Sequence, residues 1–476
     1  MNAPFDTVKF ERKLNAPDLS EEDRNGTELT EDALAKQFSA EYGDRFLYVH
    51  ERGKWYRYEQ YRHKLDVTGQ VFDSIRSVVR EATEDLEKNK RDRKKVRSAA
   101  TIAALEKIAR SDPTHATSLE ELDANLWLLN TPDGVVDLKT GKVKPNSPSH
   151  RCTMSTAVAP GVSAPNWLRT LREWMNDDEE LVAYLQRLAG YALTGSTQEH
   201  ALVFLYGPGG NGKSLFLGAL AGCMGDYAIT APINTFTESK HDQHPTDLAR
   251  LRGARLVITT ETEANRRWAD AKVKLLTGGD RITARFMHQD YFEFTPQFKL
   301  IVAGNHRPHF ANVDDAIRRR LHIVPFTFKP AAPNPQLSAT LRAEWPGILA
   351  WMIEGCVEWQ RQGLNPPAAV LAATNEFFTS EDTLGAWLNE CVEDDASKGV
   401  GLFLSAAFTS WERWAQVLGE NARSSRWLSA ELERRGFVKK HTNKGPAFVG
   451  RKLAPIDSTN LGGTPPAGGS AKKVIE

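Results

Sequence analysis

Residues 207–214 read Gly-Pro-Gly-Gly-Asn-Gly-Lys-Ser, between an apolar run from Ala201 to Tyr206 and an amphipathic run from Ser214 to Met224. The spacing GxxxxGK[ST] between a strand and a helix is that of a phosphate cradle, or P-loop. Glycines let the backbone curl until its N–H groups converge on phosphate oxygens, and a helix N-terminus adds partial positive charge. Gly207, Pro208, Gly209, Gly210, Asn211 and Gly212 would form the loop. Lys213 would neutralise the β and γ phosphates, and Ser214 would present its hydroxyl to magnesium.

Hydrolysis needs acids as well as a cradle. The run ARLVITTETE supplies Glu261 and Glu263 just past an apolar strand. One carboxylate would serve magnesium, with Glu261 the candidate ligand, and one would orient and polarise an attacking water. Asn305 ends another strand, FKLIVAGN, where an amide could hold the γ-phosphate or the nucleophilic water. The run DDAIRRRLHIVPF places Arg318, Arg319 and Arg320 before a last apolar run. An arginine donated across a subunit boundary stabilises transition-state charge. Successive arginines on a helix point different ways, so not all three can do so, and Arg319 and Arg320 are the candidates.

The surrounding pattern supplies elements that could position these residues. From about 200 to 328, the apolar runs ALVFLY, ARLVITT and FKLIVAG alternate with helical and glycine-containing segments, the signature of an α/β core with a largely parallel sheet. Upstream, residues 31–125 carry mostly helical periodicity, with WYRYEQ a short strand, and LWLLNTPDGVVDLKTGKVKP reads as hairpins. Trp167 to Leu193 reads as helix, with Trp174, Leu181, Tyr184 and Leu188 as core positions. Downstream, KPAAPNPQ marks a boundary, residues 336–395 are helical, and the remainder reads helix, helix, hairpin. That order suits a winged helix, which could contact DNA or could equally be structural or oligomer-forming. The basic run KNKRDRKKVR, residues 88–97, is read first as a solvated helix face or connector and second as a phosphate-contacting patch.

Composition bounds the alternatives. The chain has 476 residues, 41% hydrophobic and 26% charged, with formal net charge zero. An overall electrostatic binder of nucleic acid is disfavoured, while local basic stripes are not. No run is long and apolar enough to span a membrane, and the N-terminus lacks an export pattern, so a cytoplasmic location is expected, in a bacterium or a phage-infected host. Cys152, Cys223, Cys356 and Cys391 lie far apart, so neither a zinc site nor a disulfide framework is expected. The pairs His241 with His244 and His306 with His309 read as loop or surface residues.

In combination, GPGGNGKS, RLVITTETE, VKLLTGGDRITARFMHQDYFEFTPQFKLIVAGN and DDAIRRRLHIVPF resemble the superfamily 3 helicases. Within them the resemblance is to the helicase part of phage and plasmid primases and of poxvirus-type primase-helicases. It covers roughly residues 45–450, including LDANLWLLNTPDGVVDLKTGKVKP. The implied fold class is α/β: an AAA-like P-loop ATPase core at 196–330, with a helical and hairpin domain at 45–195 ahead of it. A helical, winged-helix-like domain would occupy 331–454, with a flexible segment at 1–44 and a disordered tail at 455–476.

The resemblance implies ATP and magnesium as cofactors, a hexameric ring of identical subunits, and single-stranded or forked DNA as partner. A hairpin from about Ile282 to Phe294, with its tip near Met287, His288 and Gln289, would carry DNA contacts at Arg285 and His288. Lys274 falls where the family has a lysine directed at the neighbouring subunit's nucleotide. Two departures stand out. Glu261 and Glu263 are separated where other branches have adjacent acids, and the first 45 residues cannot hold the primase-polymerase domain of full-length relatives. No primer synthesis is therefore expected of this chain, and a separately encoded primase or polymerase would be its partner. The rival expectations are an ATP-dependent loader or defence assembly factor that binds DNA without processive unwinding, and an inert P-loop scaffold.

Overall fold

The runs 202–205, 256–258, 300–303 and 323–324 are wholly apolar, and a strand segment with no polar face must be covered on both sides. The computed structural model describes residues 29–84, 90–238, 246–261, 267–287, 289–310, 314–396, 399–417 and 424–454. Glu263, His288, His241 and His244, the N-terminal segment to 28 and the tail from 455 lie outside them. The chain divides into two units, residues 1–371 and 372–476.

The first unit opens with α1 (Glu31–Tyr42), followed by a sheet of β1 (Phe46–Val49), β2 (Lys54–Glu59), β3 (Arg62–Leu65) and the distant β4 (Ala116–Thr117), in the order β3-β2-β1-β4. Helices α2 (Gln70–Ala82), α3 (Lys90–Val96) and α4 (Ala99–Ala109) complete it, with Phe38, Phe46, Ile75, Val78 and Leu105 in one core. The region expected to be mostly helical thus also holds a four-stranded sheet, because β4 pairs in parallel with β1 from far along the chain. The meander β5 (Leu128–Thr131), β6 (Gly134–Asp137) and β7 (Lys142–Lys144) follows.

The run from Trp167 to Leu193 forms two helices, α5 (Pro165–Trp174) and α6 (Glu179–Leu193), rather than one. Asn176 and Asp177 adopt φ of 52° and 60°, the left-handed region that Asn and Asp tolerate. The Asp178 carboxylate then accepts from the Leu181 amide at 3.0 Å and restarts the helix.

The parallel sheet is built from β8 (Leu202–Tyr206), β9 (Ala228–Thr230), β10 (Leu256–Glu261), β14 (Lys299–Gly304) and β16 (Leu321–Pro325). Their order is β16-β8-β14-β10-β9, and every pair is parallel. Between them lie α7 (Lys213–Met224), α8 (Thr246–Ala249) and α9 (Asp270–Gly278), then α10 (Asp315–Arg320) directly before β16. The short pairs β11 (Arg267–Trp268) with β15 (His309–Phe310), and β12 (Ile282–Ala284) with β13 (Phe292–Phe294), sit in the connections. Register aligns Tyr206, Gly304, Glu261 and Pro325, so the carboxyl ends of four strands form one edge. Ligands of open α/β sheets bind at that edge. Helices α11 (Leu337–Ala343) and α12 (Trp345–Gln362) return to the same core, where Ile348, Met352 and Cys356 join Tyr184 and Leu188 of α6.

Helix α13 (Ala368–Glu381) crosses the division. The second unit holds α14 (Thr383–Cys391), β17 (Val392–Asp394), β18 (Val400–Phe403), α15 (Leu404–Val417), α16 (Ser425–Arg434), β19 (Lys439–Thr442), β20 (Gly445–Val449) and β21 (Arg451–Leu453). Trp387, Trp411, Leu428, Leu432 and Phe448 form its core. The helix, helix, hairpin order is present. Residues 401–403, however, are extended rather than the start of a helix, and β18 adds to the hairpin as β18-β20-β19. Among the described residues no helix is long and apolar enough to cross a membrane. Nor do three or more His, Cys, Asp or Glu side chains there gather into a metal-holding group.

Candidate nucleotide-binding site

The loop after β8 turns sharply enough to bring Lys213 back under its own backbone. A Cβ at Gly207 would lie 1.9 Å from the carbonyl oxygen of Phe326, and one at Gly212 would lie 2.2 Å from the Trp174 ring. Gly212 also holds φ at +89°, so both close packing and backbone conformation demand glycine there. Pro208, Gly209, Gly210 and Ser214 are exposed, leaving the crest of the loop open, while Asn211 and Lys213 are only 2% and 5% exposed.

Lys213 donates from Nζ to the carbonyl oxygens of Gly207 at 2.6 Å and Pro208 at 3.2 Å. It also donates to Oδ1 of Asn211 at 2.9 Å and Oδ1 of Asn305 at 3.1 Å. All four acceptors are neutral, and burial holds the ammonium below its ordinary pKa. A buried cation compensated only by dipoles is a strong attractor for an anion. Asn211 is the clip of the loop: its Oδ1 accepts from Lys213 while its Nδ2 donates to the Phe326 carbonyl.

Of the residues singled out from the sequence, Asn305 is therefore brought to the cradle. Glu261 ends β10 directly beside Gly304, one residue before Asn305, although its side chain lies outside the described residues. The arginines are not at the cradle of their own chain. Helix α10 runs into the amino end of β16, where Leu321 pairs with Leu202, the first residue of β8. The five-residue strand leaves Arg320 about 16 Å from the loop. Arg319 donates to the Asp315 carbonyl at 3.2 Å and Arg320 to the Ala316 carbonyl at 2.9 Å. Arg318 and Arg319 are exposed. Lys274 pairs with Asp314 at 2.5 Å, and Asp314 also caps α10 by accepting from the Ile317 amide at 3.0 Å. Lys274 is thus tied to the arginine helix rather than to the loop.

The expected hairpin is present, with Ile282 opposite Phe294 and Ala284 opposite Phe292. Arg285 lies 4.8 Å from the centroid of the Tyr291 ring, and Phe286 stacks on Phe292 at 5.6 Å. Met287 and Tyr291 are exposed at 59% and 60%, so the end of the hairpin presents apolar and aromatic surface. Sequence reasoning missed the support beneath the loop, namely Trp174 under Gly212 and the Phe326 carbonyl. The invariably small position 212 of the cradle motif was the available signal that something must pack there, but no spacing names its partner.

Fold and loop together define a mixed α/β protein whose parallel sheet carries, at its carboxyl edge, an open glycine-rich loop folded over a buried lysine. Comparison with known proteins adds a lineage. Residues 35–176 match the family described as D5 N terminal like, and residues 205–320 match a family of unknown function, DUF5906. A putative helicase of Acanthamoeba polyphaga mimivirus is 28% identical over 218 residues, covering 44% of this chain and 23% of that protein. A putative helicase of Frog virus 3 is 24% identical over 262 residues, covering 50% and 27%. The matched part thus spans about a quarter of each of these relatives. Among solved structures, the apo C-terminal region of NrS-1 superposes with a TM-score of 0.46 at 10% identity, covering 89% of this chain and 99% of that one. The two family matches and the viral relatives fit a phage and viral primase-helicase family.

Proposed function

We propose that the chain is an ATP-dependent DNA helicase or translocase of superfamily 3, serving replication of a phage, prophage or plasmid, with an AAA-like P-loop core. The observation that carries this reading is Lys213, buried on neutral oxygens and bonded to Asn305 at 3.1 Å beneath an open loop. A triphosphate fits that arrangement because its charge would replace dipoles with a full counter-charge. The backbone of Gly207 to Gly212 would cradle the phosphates, and Lys213 would turn from the loop carbonyls toward the β and γ oxygens. Ser214 and Glu261 would hold magnesium, which when bound neutralises developing charge on the phosphates. Glu263 would orient the attacking water, and Asn305, released from Lys213, would report the γ position.

The separation of about 16 Å between Arg320 and its own cradle supports action of Arg319 or Arg320 on a neighbouring subunit's site, and hence a ring, hexameric in this reading. Lys274 would join them there through its tie to Asp314. The hairpin, with Arg285 and His288, would track single-stranded or forked DNA by charge and stacking. The second unit would serve as a winged-helix-like module, and a separately encoded primase or polymerase would be the replication partner.

Nucleotide hydrolysis measured with and without DNA, alongside strand separation of a forked duplex, tests this reading. Stimulated hydrolysis with unwinding is expected. Strong hydrolysis without unwinding would replace the helicase by a loader, and absence of hydrolysis would leave only a scaffold.

A further inference from the structure

Helix α3 exposes four cations against one exposed acid, Asp92. Lys90, Arg91, Lys94 and Lys95 are exposed, while Val96 turns inward against the core of Phe38 and Val78. Lys90 and Lys94 stand four residues apart, as do Arg91 and Lys95, so both outward rows bring like charges together. Each such pair destabilises a helix by a few tenths of a kcal/mol.

On several other described helices an exposed cation is paired with an acid. Lys36 pairs with Asp32 at 2.7 Å on α1, Arg76 with Asp73 at 3.0 Å on α2, and Arg361 with Glu358 at 2.5 Å on α12. In the second unit Arg434 pairs with Glu431 at 2.7 Å and Lys439 with Glu433 at 2.9 Å. Among the described residues, the four outward cations of α3 have no such partner.

The helix is nevertheless firmly mounted. Arg97, just past its end, donates to Oγ1 of Thr83 at 2.7 Å and to the Arg80 carbonyl at 3.0 Å, and Ser98 caps α4 by accepting from the Thr101 amide. An arginine that closes the preceding helix fixes the patch to the bundle. The far end of α4 meets the turn after β1, where His50 contacts the Arg110 carbonyl at 3.0 Å. Next to that turn, Arg252 lies over the Phe292 ring of the hairpin at 5.2 Å. Burial chiefly, and Arg52 secondarily, depress its pKa, while Glu120 and Glu51 oppose them. The eleven-residue α4 therefore spans about 16 Å between the base of α3 and the side of the bundle that adjoins the hairpin.

From this geometry we infer that Lys90, Arg91, Lys94 and Lys95 form a second nucleic-acid contact, engaging the phosphodiester backbone of the strand or duplex held at the hairpin. The inference rests on the proposed DNA-dependent activity and adds to it a site that reads charge alone. The basic run, whose simpler sequence reading is a solvated face, thereby acquires a role.

The test measures binding of the full chain to a fluorescent single strand and to a fluorescent duplex by anisotropy, across a salt series. The variants are Lys90→Ala/Arg91→Ala/Lys94→Ala/Lys95→Ala and the charge-conserving Lys90→Arg/Lys94→Arg/Lys95→Arg. If each cation neutralises one phosphate, the alanine variant loses about 2.8 units of log–log salt slope on single strand and about 3.6 on duplex. A fourfold rise in salt would then weaken the wild type roughly 50-fold more than the variant on single strand. The arm whose loss reaches its full expected value, about 2.8 for single strand or about 3.6 for duplex, identifies the contacted form. The arginine variant keeps the wild-type slope, and hydrolysis without DNA stays unchanged in both, since α3 is remote from the cradle. Wild-type binding with an unchanged slope in the alanine variant overturns this inference alone. No binding by the wild type to either probe overturns it together with the proposed function.

Discussion

The two ends of the parallel sheet each bury a lysine on neutral oxygens, yet the two sites have opposite character. At the amino end, Lys299 is 3% exposed and donates to the carbonyls of Thr194, Gln297 and Ser196, with the Tyr191 ring 4.9 Å away. Beside it Arg255 donates to the carbonyls of Leu193 and Leu128, each at 2.8 Å, and stacks on Tyr227 at 4.5 Å. Leu193 and Thr194 close α6, so these cations sit on the negative end of a helix dipole. At the carboxyl end Lys213 holds carbonyls of its own loop and two side-chain amides, beneath an exposed crest. A cation on fixed helix-end carbonyls is an anchor, whereas one on an open loop is available to exchange its partners for an anion. Burial of a cation is common to both, and mobility of its acceptors decides the use.

The largest expected effect separates the two lysines directly. Lys213→Ala is expected to lower the rate of nucleotide hydrolysis by about a thousandfold or more, as loss of a preorganised charge at a transferring phosphoryl group does. Its thermal unfolding should stay close to wild type, because two of the acceptors it leaves belong to the exposed Pro208 and Asn305, and removing a desolvated cation offsets the bonds lost at the buried Gly207 and Asn211. Hydrolysis at the wild-type rate would exclude the cradle as the reacting site. Lys299→Met is expected to do the reverse. It strands the Thr194 carbonyl and should cost about 2–3 kcal/mol in a denaturant titration, while hydrolysis per folded molecule is retained. A Lys299→Met protein of normal stability and impaired turnover would erase the distinction between anchor and receiver.

Asn305→Ala is a smaller perturbation on the receiving side. It removes one acceptor from Lys213 and the amide proposed to face the γ-phosphate, and should reduce turnover about tenfold, or about 1.4 kcal/mol, with nucleotide affinity nearly unchanged. A parallel loss of affinity instead would show that Asn305 mainly props Lys213.

How much of this contrast can be read from the sequence follows from how local each feature is. Strand, glycine loop and helix at 201–224 are contiguous and carry their own punctuation, so their order is legible. The hairpin from Ile282 to Phe294 is legible through the family resemblance, which sets a hairpin ahead of the strand that leads to Asn305, and the pairing of Ile282 with Phe294 is present. The anchor is not, because Lys299 and Arg255 look like ordinary strand-leading cations until α6, more than 50 residues upstream, delivers its last carbonyls to them. Nor is the sheet at 46–65, whose fourth strand comes from Ala116–Thr117. The arginines of α10 are visible as a cluster, but their distance from the cradle emerges only when Leu321 is registered against Leu202. Trp174 is identifiable as a core residue, yet its contact with Gly212 depends on the break at Asn176 and Asp177, which ends α5 where the loop passes.

The smallest effect probes the amino half of the sheet by pH. His322 of β16 shares a 2.7 Å hydrogen bond between its Nδ1 and the Tyr184 hydroxyl of α6, and burial pushes its pKa down to about 4. The unfolded chain, with an ordinary histidine, binds the proton first as pH falls, so it holds more protons between about 6.5 and 4. Stability contributed by neutral His322 is therefore present above about pH 6.5 and lost as pH falls through that window. Between pH 6.5 and 5.5 this one group should remove about 1 kcal/mol. His322→Gln keeps a polar partner for Tyr184 without a titrating ring, so its stability should fall less over the same interval, by that difference. Nucleotide affinity of the two proteins should follow the same pH course, because His322 lies in the half of the sheet that anchors rather than receives. If the variant's affinity instead departs from wild type as pH falls while stability tracks it, the amino end is coupled to the cradle, and the division between the two ends fails.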